Sequence, residues 1–270
     1  MNALANVAAR PTPRGVRLVA LPAISPWRLK FFRHYARRHL ARHFYSMRLL
    51  GDRPSADALS ARVIFCNHAS WWDPLVLLAL AAEFFPNRES FAPIDAASLL
   101  RYGIFRRLGF FGITPGTRAG AIAFLNIART ILEKPNAMLW LTAQGHFADA
   151  RVRPVELQRG LGHLGARLPA TKFLPLALEY TFWEERLPEV LLHFGEPIMS
   201  DGSADALTLQ FERALETAQD ELAHASLRRE PTEWHSLQRG RAGSSRIYDA
   251  WRRLRARCRG QNFSDSHSDK

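Results

Sequence analysis

Residues 61–74 of the chain read ARVIFCNHASWWDP, and they contain the clearest indication of the fold. Residues 61–66 form a short apolar run with β-branched side chains, which is typical of a buried strand. The strand is expected to stop at Asn67, where a loop begins. Asp73 and Pro74 then favour the start of a helix, because Asp is a preferred cap and Pro is tolerated in the first helical turn.

The same alternation of apolar strands and helices continues along the chain. Strands that are hydrophobic throughout and are joined by helices are typical of domains with a buried, mostly parallel sheet. We therefore predict an α/β fold, with a largely parallel or mixed sheet flanked by helices. Further strands are predicted at 137–141, 172–180 and 190–194, and helices at 73–85, 97–108, 119–133, 160–168 and 203–227.

Both ends of the chain are basic. Residues 27–50 predict an amphipathic helix, in which apolar residues recur at helical spacing and arginines fall largely elsewhere. Residues 246–259 form a second basic amphipathic stretch. We therefore divide the chain into a basic N-terminal helical segment (1–55), an α/β domain (56–227) and a basic, partly disordered C-terminal tail (228–270).

The amino-acid composition indicates the cellular compartment and the kind of partner. The 270 residues carry a formal net charge of +12, which implies an anionic partner such as a phospholipid surface, nucleic acid or an acidic substrate. The two cysteines are far apart, which argues against a disulfide framework or a zinc site and favours a reducing, cytoplasmic setting. Apolar runs stay well below the ~18 residues of a transmembrane helix, so we expect any membrane contact to be peripheral.

His68 and Asp73 are the residues most able to carry chemistry. The Asp73 carboxylate can fold back across the loop to the imidazole of His68, fix its tautomer and raise its basicity. The other ring nitrogen is then free to take a proton from a hydroxyl, which can attack a thioester directly. On spacing alone, a buried histidine bound to a helix-capping aspartate is the more common arrangement.

The segment around this pair resembles the HxxxxD signature of the glycerolipid and lysophospholipid acyltransferase family, the group that includes 1-acylglycerol-3-phosphate acyltransferases. Members of that family often read N-H-x-S-x-x-D, which matches Asn67, His68, Ser70 and Asp73. The resemblance covers roughly residues 61–198. Three further blocks follow in the family's order: 110–121 (FFGITPGTRAGA), 141–153 (LTAQGHFADARVR) and 173–178 (FLPLAL).

The resemblance implies an acyltransferase with the family's α/β fold, in which His68 is the general base and Asp73 orients it. The donor would be acyl-CoA or an acyl-carrier protein, and the acceptor a hydroxyl of a lysophospholipid or a glycerol phosphate-like lipid. No metal or redox cofactor is implied. The candidate substrate-binding residues are Asn67, Arg118, Gln144, Gly145, Arg151 and Pro175.

The third block departs from the family's pattern, which is usually F-P-E-G-T-R. Gln144 stands in place of Glu, and residues 146–147 are His-Phe in place of Thr-Arg. The arginine expected to hold an acceptor phosphate is therefore absent there. Arg118, Arg151 or Arg153 could substitute for it, or the acceptor lacks a phosphate at that place, as in a glycolipid, a carotenoid glycoside or an aminolipid.

Other interpretations remain open or are rejected on local grounds. An anionic membrane surface is the expected partner; nucleic acid would use the same charge, but no nucleic-acid motif accompanies it. A catalytically silent lipid- or nucleic-acid-binding relative is the alternative from a different class.

Residues 160–165 match GxGxxG, but no strand is predicted before them, so a helix start with small residues is favoured over a dinucleotide site.

Overall fold

The computed structural model describes residues 21–240. The strands in this part are β1 (Ser46–Leu50), β2 (Val63–Cys66), β3 (Glu89–Asp95), β4 (Phe110–Ile113), β5 (Ala137–Thr142), β6 (Lys172–Thr181), β7 (Glu189–Phe194), β8 (Ile198–Met199) and β9 (Trp234–Arg239). The α-helices are α1 (Pro26–His43), α2 (Ala56–Leu59), α3 (Asp73–Phe84), α4 (Ala96–Arg101), α5 (Arg118–Leu132), α6 (Gly160–Arg167) and α7 (Ala204–Arg228). Short 3₁₀ helices cover Gly103–Leu108 and Pro231–Glu233.

The strands form one mixed sheet in the order β4-β3-β5-β2-β6-β7-β1-β9, with β8 beside β6. The central strand β2 runs parallel to both of its neighbours, β5 and β6. Antiparallel pairing is confined to β6 with β7 and β8, and to β1 with β9. The predicted α/β fold, with a largely parallel or mixed sheet flanked by helices, is confirmed.

Both faces of the sheet are covered by helices, and β2 shows why its sequence is apolar throughout. Ile64 and Cys66 belong to the core cluster that contains α3 and the buried side of α1. Val63 and Phe65 point to the opposite cluster, which contains α5, α6 and α7. Because successive side chains of a strand alternate between faces, a strand buried on both faces is hydrophobic at every position.

The prediction of one helix from residue 27 to residue 50 is wrong. The helix α1 ends at His43, and Ser46–Leu50 forms β1 between β7 and β9. The strand β9 was also missed, because it lies in the predicted tail. Both flanking segments therefore contribute strands to the sheet. The predicted basic stretch at 246–259 lies outside the described residues.

The GxGxxG stretch serves helix packing. The residues before α6 form turns and a loop rather than a strand. A Cβ atom at Gly162 would lie 2.1 Å from Thr208 Oγ1 and 2.2 Å from the carbonyl oxygen of Ala204, both on α7. The glycine therefore allows α6 to approach α7 closely, as expected for a helix start with small residues.

The helix α1 presents an aromatic surface. Its residues Ala36 and Leu40 are buried in the core cluster shared with α3, whereas Trp27, Phe31 and Tyr35 are exposed one turn apart. We call these three exposed residues the aromatic row. Within residues 21–240, none of the helices has the length and apolar character needed to span a bilayer.

Candidate active site

The candidate site lies where β2 ends, beside the carboxyl end of its parallel neighbour β5 and the middle of its other neighbour, β6. Asn67 follows β2 and is fully buried. Its side-chain Nδ2 donates to the Leu178 carbonyl oxygen at 2.9 Å, and its Oδ1 accepts from the Leu178 N–H at 2.8 Å. Asn67 therefore ties the end of β2 to β6 and holds the next residue, His68, at the edge of the sheet where α/β sites form.

The structure brings His68 and Asp73 together. Nδ1 of His68 lies 2.6 Å from Oδ2 of Asp73, which is the first residue of α3. The Asp73 side chain is 0% exposed, and that of His68 is 19% exposed. With Nδ1 directed at the carboxylate, Nε2 is the ring nitrogen left to accept a proton.

Three donors surround the Asp73 carboxylate. Besides His68, the Ser70 N–H donates to Oδ2 at 3.1 Å, and the Tyr180 hydroxyl donates to Oδ1 at 2.7 Å. A buried carboxylate is stable when its oxygens are paired in this way. The Ser70 hydroxyl accepts from the Trp72 N–H at 3.2 Å, so Ser70 shapes the loop. Tyr180 was not a predicted site residue.

The two other ionisable groups near the carboxylate are neutral at ordinary pH. Burial raises the pKa of the Cys66 thiol well above its usual range, and the Asp73 charge adds to the effect. Burial likewise raises the pKa of the Tyr180 hydroxyl well above its usual range, again with a contribution from Asp73. Asp73 is therefore the negative charge at the His68 ring.

Gln144 holds the backbone of His68. It is buried, and its Oε1 accepts from the His68 N–H at 2.8 Å. Its own carbonyl oxygen accepts from Gln158 Nε2 at 3.1 Å and lies 3.0 Å from His146 Nδ1. The amide side chain thus fixes the turn that carries the catalytic candidate, although its predicted role was contact with substrate.

Gly145 forms a tight turn beside Gln144. Its φ of +73° is in the left-handed region, and a Cβ there would lie 2.9 Å from Gln158 Cγ. Its N–H donates to the Thr142 carbonyl oxygen at 3.1 Å and is not available to a substrate oxygen. The structure therefore gives Gly145 a role in the turn, and its contact with substrate stays a prediction.

Phe147 covers one face of the His68 ring. The two ring centroids are 4.3 Å apart, and 60% of Phe147 is exposed. The Ala148 N–H donates to the His68 carbonyl oxygen at 2.9 Å, which holds this loop against the site. The sequence singled out Phe147 only as a departure from the family pattern, and its ring contact depends on the folded loop.

The remaining predicted residues are not brought to His68 by the described contacts. Arg118 is exposed at the first position of α5. Arg151 is exposed and forms a two-point ion pair with Asp149, at 2.8 and 2.7 Å, which lowers the pKa of that carboxyl. Pro175 is buried in the middle of β6 and lies close to Gly195, and its substrate-binding role stays a prediction.

The end of α1 packs on the loop between His68 and Asp73. The ring of Trp72 lies 5.4 Å from His39, 5.0 Å from His43 and 5.0 Å from Phe44. Trp71 is 68% exposed. One of the two adjacent tryptophans therefore packs, and the other faces outward next to the candidate site.

No family model matches the chain, and a search of curated proteins finds no match. Within residues 21–240, no three His, Cys, Asp or Glu residues are grouped so that they could hold a metal ion. The functional assignment therefore depends on the fold and on the geometry around His68.

Replacing Asn67 with alanine is expected to lower the free energy of unfolding by about 2–3 kcal/mol. The change leaves the buried N–H and carbonyl of Leu178 without their side-chain partner, and an unpaired buried polar group costs about 1–3 kcal/mol. Urea denaturation measures the loss. Asn126→Ala, at an exposed position of α5, is the control and should change stability by less than about 0.5 kcal/mol; equal effects of the two variants would contradict the assignment.

Proposed function

We propose that the protein is an O-acyltransferase that moves a fatty acyl group from a thioester, acyl-CoA or acyl-carrier protein, to a hydroxyl of a lipid acceptor. The observation that supports it is the 2.6 Å contact between His68 Nδ1 and the buried Asp73 carboxylate, with the His68 ring partly open. A histidine that served only to fill the core would be closed to solvent.

The reaction follows from this pair. Nε2 of His68 takes the proton of the acceptor hydroxyl while its oxygen attacks the thioester carbonyl carbon. A C–O bond forms and the C–S bond breaks. The leaving thiolate then accepts the proton from the imidazolium, which restores the neutral imidazole. Asp73 stabilises the imidazolium by its charge. Proton transfer of this kind contributes about 10²–10⁴-fold in rate, and positioning of the two substrates supplies much of the rest.

Two classes of acceptor fit the proposed reaction. A lysophospholipid or glycerol phosphate-like acceptor follows from the family resemblance. A hydroxyl acceptor without a phosphate, such as a glycolipid, a carotenoid glycoside or an aminolipid, is favoured by the aromatic ring of Phe147 against His68. The pairing of Arg151 with Asp149 favours it as well, since that guanidinium is already neutralised.

Acceptor and donor profiling by mass spectrometry tests the proposal. The purified protein is incubated with acyl-CoA and with acyl-carrier protein of several chain lengths, together with each acceptor class. We expect a new ester from one acceptor class and none without an acceptor. Tight binding of lipid or nucleic acid, with no ester from any donor and acceptor, would favour the catalytically silent alternative.

We further propose that the protein associates peripherally with the inner face of a membrane through α1. The aromatic row is exposed, and Arg28 and Lys30 lie beside it on the same helix. Aromatic rings are favoured at the bilayer interface, and each cation near anionic headgroups contributes about 1 kcal/mol. The other end of α1 contacts Trp72, so this surface lies next to the site that would receive the lipid.

Removing two members of the aromatic row is expected to weaken binding to anionic vesicles. The double variant Trp27→Ala/Phe31→Ala should lower the partition coefficient by about tenfold or more, because two large exposed rings are lost from the interface. Co-sedimentation with phosphatidylglycerol-containing vesicles measures this effect. Leu209→Ala, which removes an exposed apolar side chain on α7, is the matched control; unchanged binding in the double variant would exclude α1 as the docking surface.

A further inference from the structure

Tyr180 stands on the far side of the Asp73 carboxylate from His68. It is the penultimate residue of β6, and its hydroxyl donates to Oδ1 at 2.7 Å, whereas His68 contacts Oδ2. The Phe44 ring, which also packs on Trp72, lies 5.7 Å from the Tyr180 ring. The hydroxyl is therefore held at the carboxylate by both the strand and the end of α1.

We propose that Tyr180 is a positioning residue that fixes the Asp73 carboxylate and, through it, sets the pH at which His68 takes up a proton. Its effect on rate rests on the proposed acyltransferase function, whereas its effect on His68 does not. Tyr180 acts through Asp73, since its hydroxyl is bound there.

The direction of the effect follows from the hydrogen bond. A donor at Oδ1 draws electron density away from the carboxylate and makes it a weaker partner for a protonated imidazole. Without that donor, the carboxylate should favour the imidazolium more strongly. His68 would then hold its proton to a higher pH and be a less available base at neutral pH.

The surrounding titratable groups are consistent with this arrangement. Cys66, on β2, lies close enough for the charge of Asp73 to raise the pKa of its thiol. On the facing loop, His146 is engaged with the Gln144 carbonyl oxygen. On α1, His39 and His43 contact Trp72 rather than the carboxylate. Among the described groups, the direct side-chain partners of Asp73 are thus His68 and Tyr180.

The test is Tyr180→Phe, which removes the hydroxyl and keeps the ring. With the best donor and acceptor, kcat at neutral pH should fall by about twofold to threefold, because a rise of about half a pH unit leaves less of the His68 ring unprotonated, while KM stays near its native value. The acid limb of the pH–rate profile should shift toward higher pH by about half a pH unit or more. Tyr102→Phe, at an exposed tyrosine, is the matched control and should leave both unchanged.

A second measurement needs no turnover. NMR titration of the His68 ring should show proton uptake at a higher pH in Tyr180→Phe than in the native protein. Phe44→Leu, which keeps the hydroxyl but removes the ring beside it, should give a smaller shift in the same direction. An unchanged or lowered His68 titration in Tyr180→Phe would overturn the inference. Absence of acyl transfer in the native protein would overturn the proposed function and leave this readout to decide the role of Tyr180.

Discussion

Replacing His68 with alanine is expected to lower acyl transfer by about 10²–10⁴-fold at neutral pH. The substitution removes the group that accepts the hydroxyl proton, and neither Tyr180 nor Asp73 can replace it. Tyr180 is neutral, and Asp73 is fully buried beneath the ring. The expected loss is in kcat, because the imidazole acts on the hydroxyl proton in the transition state.

The matched control for this variant is His163→Ala. His163 is exposed on α6, so its replacement removes an imidazole without touching the site. We expect the control to retain native activity within about twofold, and thermal melts should show both variants folded. A His68→Ala protein that transfers acyl groups at the native rate would rule out the role given to this ring.

Replacing Asp73 with asparagine is expected to lower kcat by about 10²-fold or more while the fold is retained. Asparagine has nearly the same shape, and its oxygen can still accept from His68 and Ser70. Its NH₂ group can donate to the Tyr180 oxygen after the hydroxyl rotates. The charge that stabilises the imidazolium is lost, and a charge pair at such a distance is worth several kcal/mol even at an effective dielectric constant of about 20.

Measuring both the free energy of unfolding and kcat of Asp73→Asn distinguishes the loss of the charge from a packing defect. The free energy of unfolding, measured by urea denaturation, should fall by less than about 2 kcal/mol. Asp201→Asn, which removes an exposed carboxylate ahead of α7, is the control and should alter neither quantity. Full activity in Asp73→Asn would contradict an electrostatic role for Asp73, and so would a rate loss fully explained by unfolding.

Local signals predicted the centre of the fold well. The apolar run before Asn67 is a buried strand, and the helix predicted from the Asp-Pro pair begins at Asp73 and ends at Phe84. In one detail the prediction was wrong, since Asp73 is the first helical residue and Trp72 occupies the cap position. Instead of capping the helix, the Asp73 carboxylate points back to His68. The contact predicted between these two residues from their spacing is present as a hydrogen bond.

Long-range pairing decided the parts that were not predicted. Residues 46–50 continue the apolar spacing of α1, and they become a strand because β7 and β9 pair with them. The role of Tyr180 could not be predicted for the same reason. Its hydroxyl reaches Asp73, 107 residues earlier in the chain, through the pairing of β6 with β2.

The most direct test of the central claim is the stoichiometry of the reaction in the native protein and in His68→Ala. Thiol release and ester formation are followed together, with and without the acceptor, and the intact protein is weighed by mass spectrometry. We expect one ester for each thiol released, no release without an acceptor, no acylated protein, and loss of both products in His68→Ala. An acyl group bound covalently to the protein, or acceptor-dependent ester formation at an undiminished rate in His68→Ala, would contradict direct attack by a hydroxyl that His68 deprotonates.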